Sequence, residues 1–334
     1  LLRLPIVLVL IFLAVSLSRT VAANIICDKC GQPIPSGQEI HFNGKYYHRQ
    51  CLICDDCGKP LDVAKGAIIQ GDKYYHADCF YRNVRKWCYV CGQWIEGSYC
   101  VDPWGHPYHK WHDGVHPRCE YCGRFITQEV TEGGIYYDDG RIICHLCLQS
   151  AIANQDSASA ILEAVRDTLG TIGINIDSSG ISIRLLGKDT MEKRFGEHYG
   201  NPDGMTRVYY DAVSGDPEYR LYLLYGMPKV RFITAVAHEL MHVWLFRNQD
   251  PAISNNYQGN KLLIEGSCNI AAYLVLQHYA GEEVRVTLRM IEQNRILHYG
   301  LGFHEADHYL VGHDTGQWLE YIKTHSRYPP VSSN

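Results

Sequence analysis

Residues 232–245 read FITAVAHELMHVWL, and the rest of the chain is read outward from this stretch. On an α-helix, positions i and i+4 share a face, so His238 and His242 point the same way. Two such imidazoles can grip a zinc ion. The intervening Glu239 then stands ready to take a proton from a water whose pKa the zinc lowers to about 7. His-Glu-x-x-His is short enough to arise by chance in a chain with 17 His. Its apolar surroundings argue otherwise, because two histidines and a glutamate buried without a metal carry a large desolvation cost.

A hydrolytic zinc needs a third protein ligand. Twenty-three residues after His242 stands Glu265, inside the apolar run LLIEGSCNIAAY (262–273). This is the layout of the glutamate zincins, in which a second helix delivers the carboxylate. Asn269, one turn on, is placed to orient a metal-bound histidine. Tyr299, His304 and His308 are candidates to polarise a substrate carbonyl, with solvated surface the alternative for each.

Outward from this centre the texture is mixed. Residues 157–169 read as a capped amphipathic helix ending near Gly170. Residues 181–186, 206–213 and 219–225 alternate like strands. Beyond Pro228 the pattern is mostly helical to about Thr324. Strands followed by helices predict an α+β, zincin-like domain over residues 155–330. The stretch from Tyr219 to Tyr225 is expected to be an edge strand that pairs with an extended substrate.

The first half of the chain is different in kind. Of 14 Cys, all but Cys268 fall before residue 148. Eight two-ligand pairs follow in order, each with two intervening residues. They are Cys27 and Cys30, His48 and Cys51, Cys54 and Cys57, His76 and Cys79. Then come Cys88 and Cys91, His109 and His112, Cys119 and Cys122, Cys144 and Cys147. A disulfide framework has no reason to place His at Cys spacing, whereas tetrahedral zinc takes both. His116 rivals His112 as a ligand, because six residues separate His112 from Cys119 where two separate Cys51 from Cys54. Cys100 stands outside the pattern as a small buried residue.

The pattern resembles two LIM domains, at 24–82 and 85–150. Resemblance implies that the first and second pairs of each module share one structural zinc, and the third and fourth another. It also marks one departure, since His76 stands where Cys is usual. Modules this small rarely bury enough apolar area alone, so the metals supply part of the folding energy. The architecture expected is therefore two small, β-rich, zinc-stabilised modules before an α+β peptidase-like domain, with about four structural zincs and one catalytic.

LIM modules followed by YGMPK (225–229), AHELMHVWL (237–245), IEGSC (264–268) and YGLGF (299–303) resemble the "DA-one" family, the ubiquitin-activated LIM peptidases that limit plant organ growth. The resemblance covers about residues 27–80 and 200–330. It implies zinc-dependent endopeptidase activity, with His238, His242 and Glu265 as metal ligands and Glu239 as acid/base. This chain shows no acidic ubiquitin-interacting helix, and the resemblance is to an exported, bacterial-type homologue.

Residues 1–23 carry Arg3, an apolar run from Ile6 to Leu17 and a small-residue stretch at Val21–Ala23. That is the layout of a signal peptide, shorter than the ~20 apolar residues of a membrane span. Export to the periplasm or outside the cell is expected, with no stable span after cleavage. An uncleaved anchor is the alternative. The net charge of −5 argues against a nucleic-acid partner. Expected partners are a protein or peptide substrate and a protein bound by the LIM modules. The alternative function is a non-catalytic LIM adaptor with an inactive zincin-like domain.

Overall fold

In the first 150 residues, a Cys-x-x-Cys pair is followed by glycine four times. These are Gly31, Gly58, Gly92 and Gly123, with φ of +70°, +69°, +66° and +71°. That left-handed backbone costs a residue with a Cβ and is free to glycine. It lets the glycine N–H donate to the carbonyl of the first cysteine at 2.8–2.9 Å, and each turn closes with both sulfurs on one side. The computed structural model describes residues 25–196 and 203–329. The leader read at residues 1–23 lies outside the described residues.

The chain divides into two compact units between Lys86 and Trp87. In the first, the hairpins Ile40–Phe42/Lys45–Tyr47 and Ala67–Gln70/Lys73–His76 enclose a small core of Ile34, Tyr47, Leu52, Leu61 and Tyr75.

The second unit starts with another Cys/His module, built on the hairpins Cys100–Val101/Pro107–Tyr108 and Gly134–Tyr136/Ile142–Cys144. The larger core follows. Its elements are β1 (Ala151–Ile152), α1 (Gln155–Thr171), β2 (Ile181–Leu186), α2 (Lys188–Phe195), β3 (Gly204–Tyr210), β4 (Pro217–Leu224) and β5 (Met227–Pro228). Its longer helices beyond β5 are α3 (Lys229–Asn248), α4 (Tyr257–Leu276), α5 (Glu282–Glu292), α6 (Gly302–Val311) and α7 (Thr315–Thr324). Strands in the modules and in this core, followed by helices, make the chain a set of Cys/His modules before a mixed α/β domain.

Side-chain caps start several helices. Asn154 accepts from Ser157 N–H ahead of α1, two residues earlier than the sequence suggested, and Asp314 and Gln317 form a capping box on α7. The main sheet has the order β2-β4-β3, with β2 parallel and β3 antiparallel to β4. The stretch read as an edge strand, Tyr219 to Tyr225, is therefore mostly the central strand. The physical reason lies in its run of Leu221, Tyr222, Leu223 and Leu224, all buried. A strand buried on both faces reads as a continuous apolar run, not as a one-sided alternation. Among the described residues no helix is long and apolar enough to cross a membrane.

Candidate metal centre and active site

α3 follows directly on Pro228, whose extended backbone lets the helix begin, and it buries Phe232, Val236, Leu240 and Val243. That burial fixes its rotation, so His238 and His242 share a face with ring centroids 5.0 Å apart. α4 packs against it and brings Glu265 to the same place. Glu265 Oε2 lies 3.1 Å from His238 Nε2, and Oε1 lies 3.8 Å from His242 Nε2. The carboxylate is 2% exposed, and its Oε2 has no hydrogen-bond partner.

Burial opposes the charge on Glu265, but the neighbouring His238 and His242 hold its carboxyl down to about 2. Burial lowers the pKa of His242. On His238 the same burial is outweighed by Glu265, and the pKa is raised. Two imidazoles and an ionised carboxylate, its Oε2 buried without a hydrogen-bond partner beside His238, fit a zinc ion.

The surroundings lock these side chains. His238 Nδ1 and Asn269 Oδ1 are 3.0 Å apart, and the Asn269 amide donates to the Tyr299 carbonyl at 2.9 Å. With Nδ1–H donating to Asn269, Nε2 keeps its lone pair for a cation. The Tyr257 hydroxyl donates to Glu265 Oε1. The Tyr299 ring centroid sits 6.2 Å from that of His238. Burial, reinforced by Glu265, pushes both tyrosine hydroxyls up. Glu239 is 5% exposed. The Thr206 hydroxyl, on β3, donates to its Oε2 at 2.7 Å.

Cys268 also belongs to this neighbourhood, its sulfur and one ring nitrogen of each histidine lying within 4.8 Å of one another. Burial first, then Glu265 and Glu239, push its thiol well up, which keeps it neutral. Of the other residues read from the sequence, His308 is exposed on α6, and His304 Nε2 is buried without a hydrogen-bond partner. Tyr257, Thr206 and Cys268 escaped the sequence reading. Cys268 and Tyr257 had a signal, one turn after and two turns before Glu265 on the same helix.

The Cys/His modules bring together four further groups. They are Cys27, Cys30, His48 and Cys51; Cys54, Cys57, His76 and Cys79; Cys88, Cys91, His109 and His112; and Cys119, Cys122, Cys144 and Cys147. The first three share one device. His48, His76 and His109 turn Nδ1 towards a cysteine sulfur at 3.4, 3.4 and 3.5 Å. Each places Nε2 at 3.1 Å from the carbonyl three residues after the Cys-x-x-Cys pair, at Pro33, Pro60 and Trp94. That second contact fixes the tautomer a metal needs. Backbone N–H groups outweigh burial and hold the thiols of Cys27 and Cys54 down to about 6, close to the thiolate a metal binds. His112 is fully buried with neither ring nitrogen hydrogen-bonded, and burial lowers its pKa. His116 stands outside the group, as does half-buried Cys100.

A LIM-domain model matches residues 27–84. Protein DA1-related 2 of Arabidopsis thaliana is 25% identical over 75% of this chain and 53% of its own length. LIM domain-containing protein HDR3 of Oryza sativa subsp. japonica is 23% identical over 75% of this chain and 56% of its own. Protein DA1 of Arabidopsis thaliana is 22% identical over 74% and 52%. The chain thus spans about half the length of these relatives. It carries a LIM domain and is related, at low identity, to the DA1 and DA1-related proteins.

Proposed function

We propose that this protein is a zinc-dependent endopeptidase. The observation that carries the proposal is the convergence of His238, His242 and the Glu265 carboxylate, whose Oε2 has no hydrogen-bond partner, with Glu239 beside them on a buried helix. When bound, zinc supplies Lewis acidity, lowering the pKa of water and stabilising charge on the substrate carbonyl oxygen. The chain supplies the rest. Glu239 takes the proton from the attacking water and passes it to the leaving amine. Thr206 holds the carboxylate on the side of β3. Asn269 and Tyr257 fix the orientation of His238 and Glu265.

β3 is one of the two edges of the sheet among the described residues and carries the residue that touches Glu239. An extended peptide adding to that edge meets the acid/base directly, by main-chain pairing that tolerates many sequences. β3 thereby takes over the substrate-pairing role first assigned to the stretch from Tyr219 to Tyr225. The LIM domain serves protein recognition, and the substrate is a protein or an unfolded segment of one.

Glu239→Gln tests the reading, because it keeps all three metal donors and removes only the proton acceptor. Zinc content should be unchanged while casein cleavage falls by roughly a hundredfold or more. Full activity in the variant would leave the metal group without a catalytic role, and the alternative of a binding protein would stand.

A further inference from the structure

The second Cys/His module does not end at a loose linker. The tip of its hairpin, Tyr137 to Arg141, reaches the main sheet where the parallel strands β2 and β4 both finish. Arg141 is 1% exposed. Its guanidinium forks onto Asp139 at 2.8–3.1 Å and donates through Nη1 to the Tyr121 hydroxyl at 2.8 Å and to the Tyr225 carbonyl at 2.9 Å. Asp139 Oδ2 accepts from Lys188 N–H, the first residue of α2, at 3.0 Å. One ion pair from the module therefore holds the backbone just beyond both strand ends.

The neighbouring contacts act on the same few residues. The Tyr137 ring packs edge-on against Tyr225 at 5.4 Å. Gly226 has φ +75°, and a Cβ there would collide with the Tyr137 hydroxyl. Gly226 N–H donates to Ile152, and β1 pairs with β5 through Ile152 and Met227. β5 leads without a break into α3, which carries His238 and Glu239. Three residues after Arg141, Cys144 belongs to the four-cysteine group.

We propose that Arg141 is a positioning residue for the catalytic helix. Through the Tyr225 carbonyl it sets the path of residues 225–228, and so where α3 begins. The hairpin that carries it is held in turn by the four-cysteine group. A buried guanidinium shared between a carboxylate and two neutral acceptors is suited to this. Its planar fork fixes direction as well as distance, which a lysine ammonium does not. The catalytic part of the inference rests on the peptidase reading above, but the structural part does not.

The test uses the full chain with Arg141→Met and Arg141→Lys. Hydrogen exchange reads the Tyr225 and Gly226 amides, which donate to Leu186 and Ile152. In Arg141→Met they should exchange roughly tenfold to a hundredfold faster, with amides inside α4 and all metals unchanged. Arg141→Lys, which can reach one acceptor but not the whole set, should fall between. On a peptide, kcat should drop in the same order while KM stays, because the substrate edge β3 is not what moves. Wild-type exchange at both amides in either variant would overturn the proposal. So would equal acceleration throughout α4, which would make Arg141 merely a stabilising residue. Should the methionine variant fail to fold, the lysine variant decides by the same comparison. An inactive wild type would sink the peptidase reading and leave the exchange result to judge the positioning role alone.

Discussion

Glu265 is the residue on which the metal centre turns, and its two oxygens are treated differently. Oε1 accepts from Tyr257, whereas Oε2 has no partner and faces His238. The tyrosine therefore fixes which way the carboxylate points. Removing such a support leaves all donors in place but lets one of them turn away. Tyr257→Phe should weaken zinc binding at this centre by about tenfold to a hundredfold, the usual cost of losing an outer partner. Competition with a graded series of chelators measures it. Unchanged affinity would mean that packing on α4 alone orients Glu265.

At the scale of elements, the centre depends on how closely α4 approaches α6. Gly266, next to Glu265, packs on the backbone of Gly302 with no room for a Cβ, and Gly302 packs likewise on the Leu262 carbonyl. Two glycines thus bring two helices nearer than side chains allow. The same approach sets Tyr299 within reach of Asn269. Gly266→Ala must push rigid backbone apart, and an overpacked site of this kind costs about 1–3 kcal/mol. Urea unfolding of the second unit should show that loss, and His238 should lose its hold on Asn269 with it. A midpoint equal to wild type would show that α6 yields freely.

At the scale of the molecule, the chain divides between Lys86 and Trp87. The core of the four-cysteine part of the second module includes Val286 of α5, and β1 is shared with β5. A chain starting at Gln155 loses β1, Arg141 and the partners of Val286. It should melt without a cooperative transition by circular dichroism. A chain starting at Trp87 should melt cooperatively and hold zinc at His238, His242 and Glu265. Cooperative melting of the shorter chain would make the second module dispensable to the fold.

The sequence by itself determined whatever local chain geometry dictates. A Cys-x-x-Cys-Gly turn aims two sulfurs at one point wherever it occurs, and a helix puts residues 238 and 242, or 265 and 269, on one face. The Cys/His groupings, the histidine pair and the placing of Asn269 were legible for that reason. Choice between distant partners was not, because it depends on packing across the whole unit. Thr206 meeting Glu239 and Arg141 meeting the Tyr225 carbonyl each join segments whose spacing carries no signal. Sheet order belongs to the same class. An apolar strand is pulled to the centre by burial on both faces, so β4 lies inside and β3 became the edge beside Glu239.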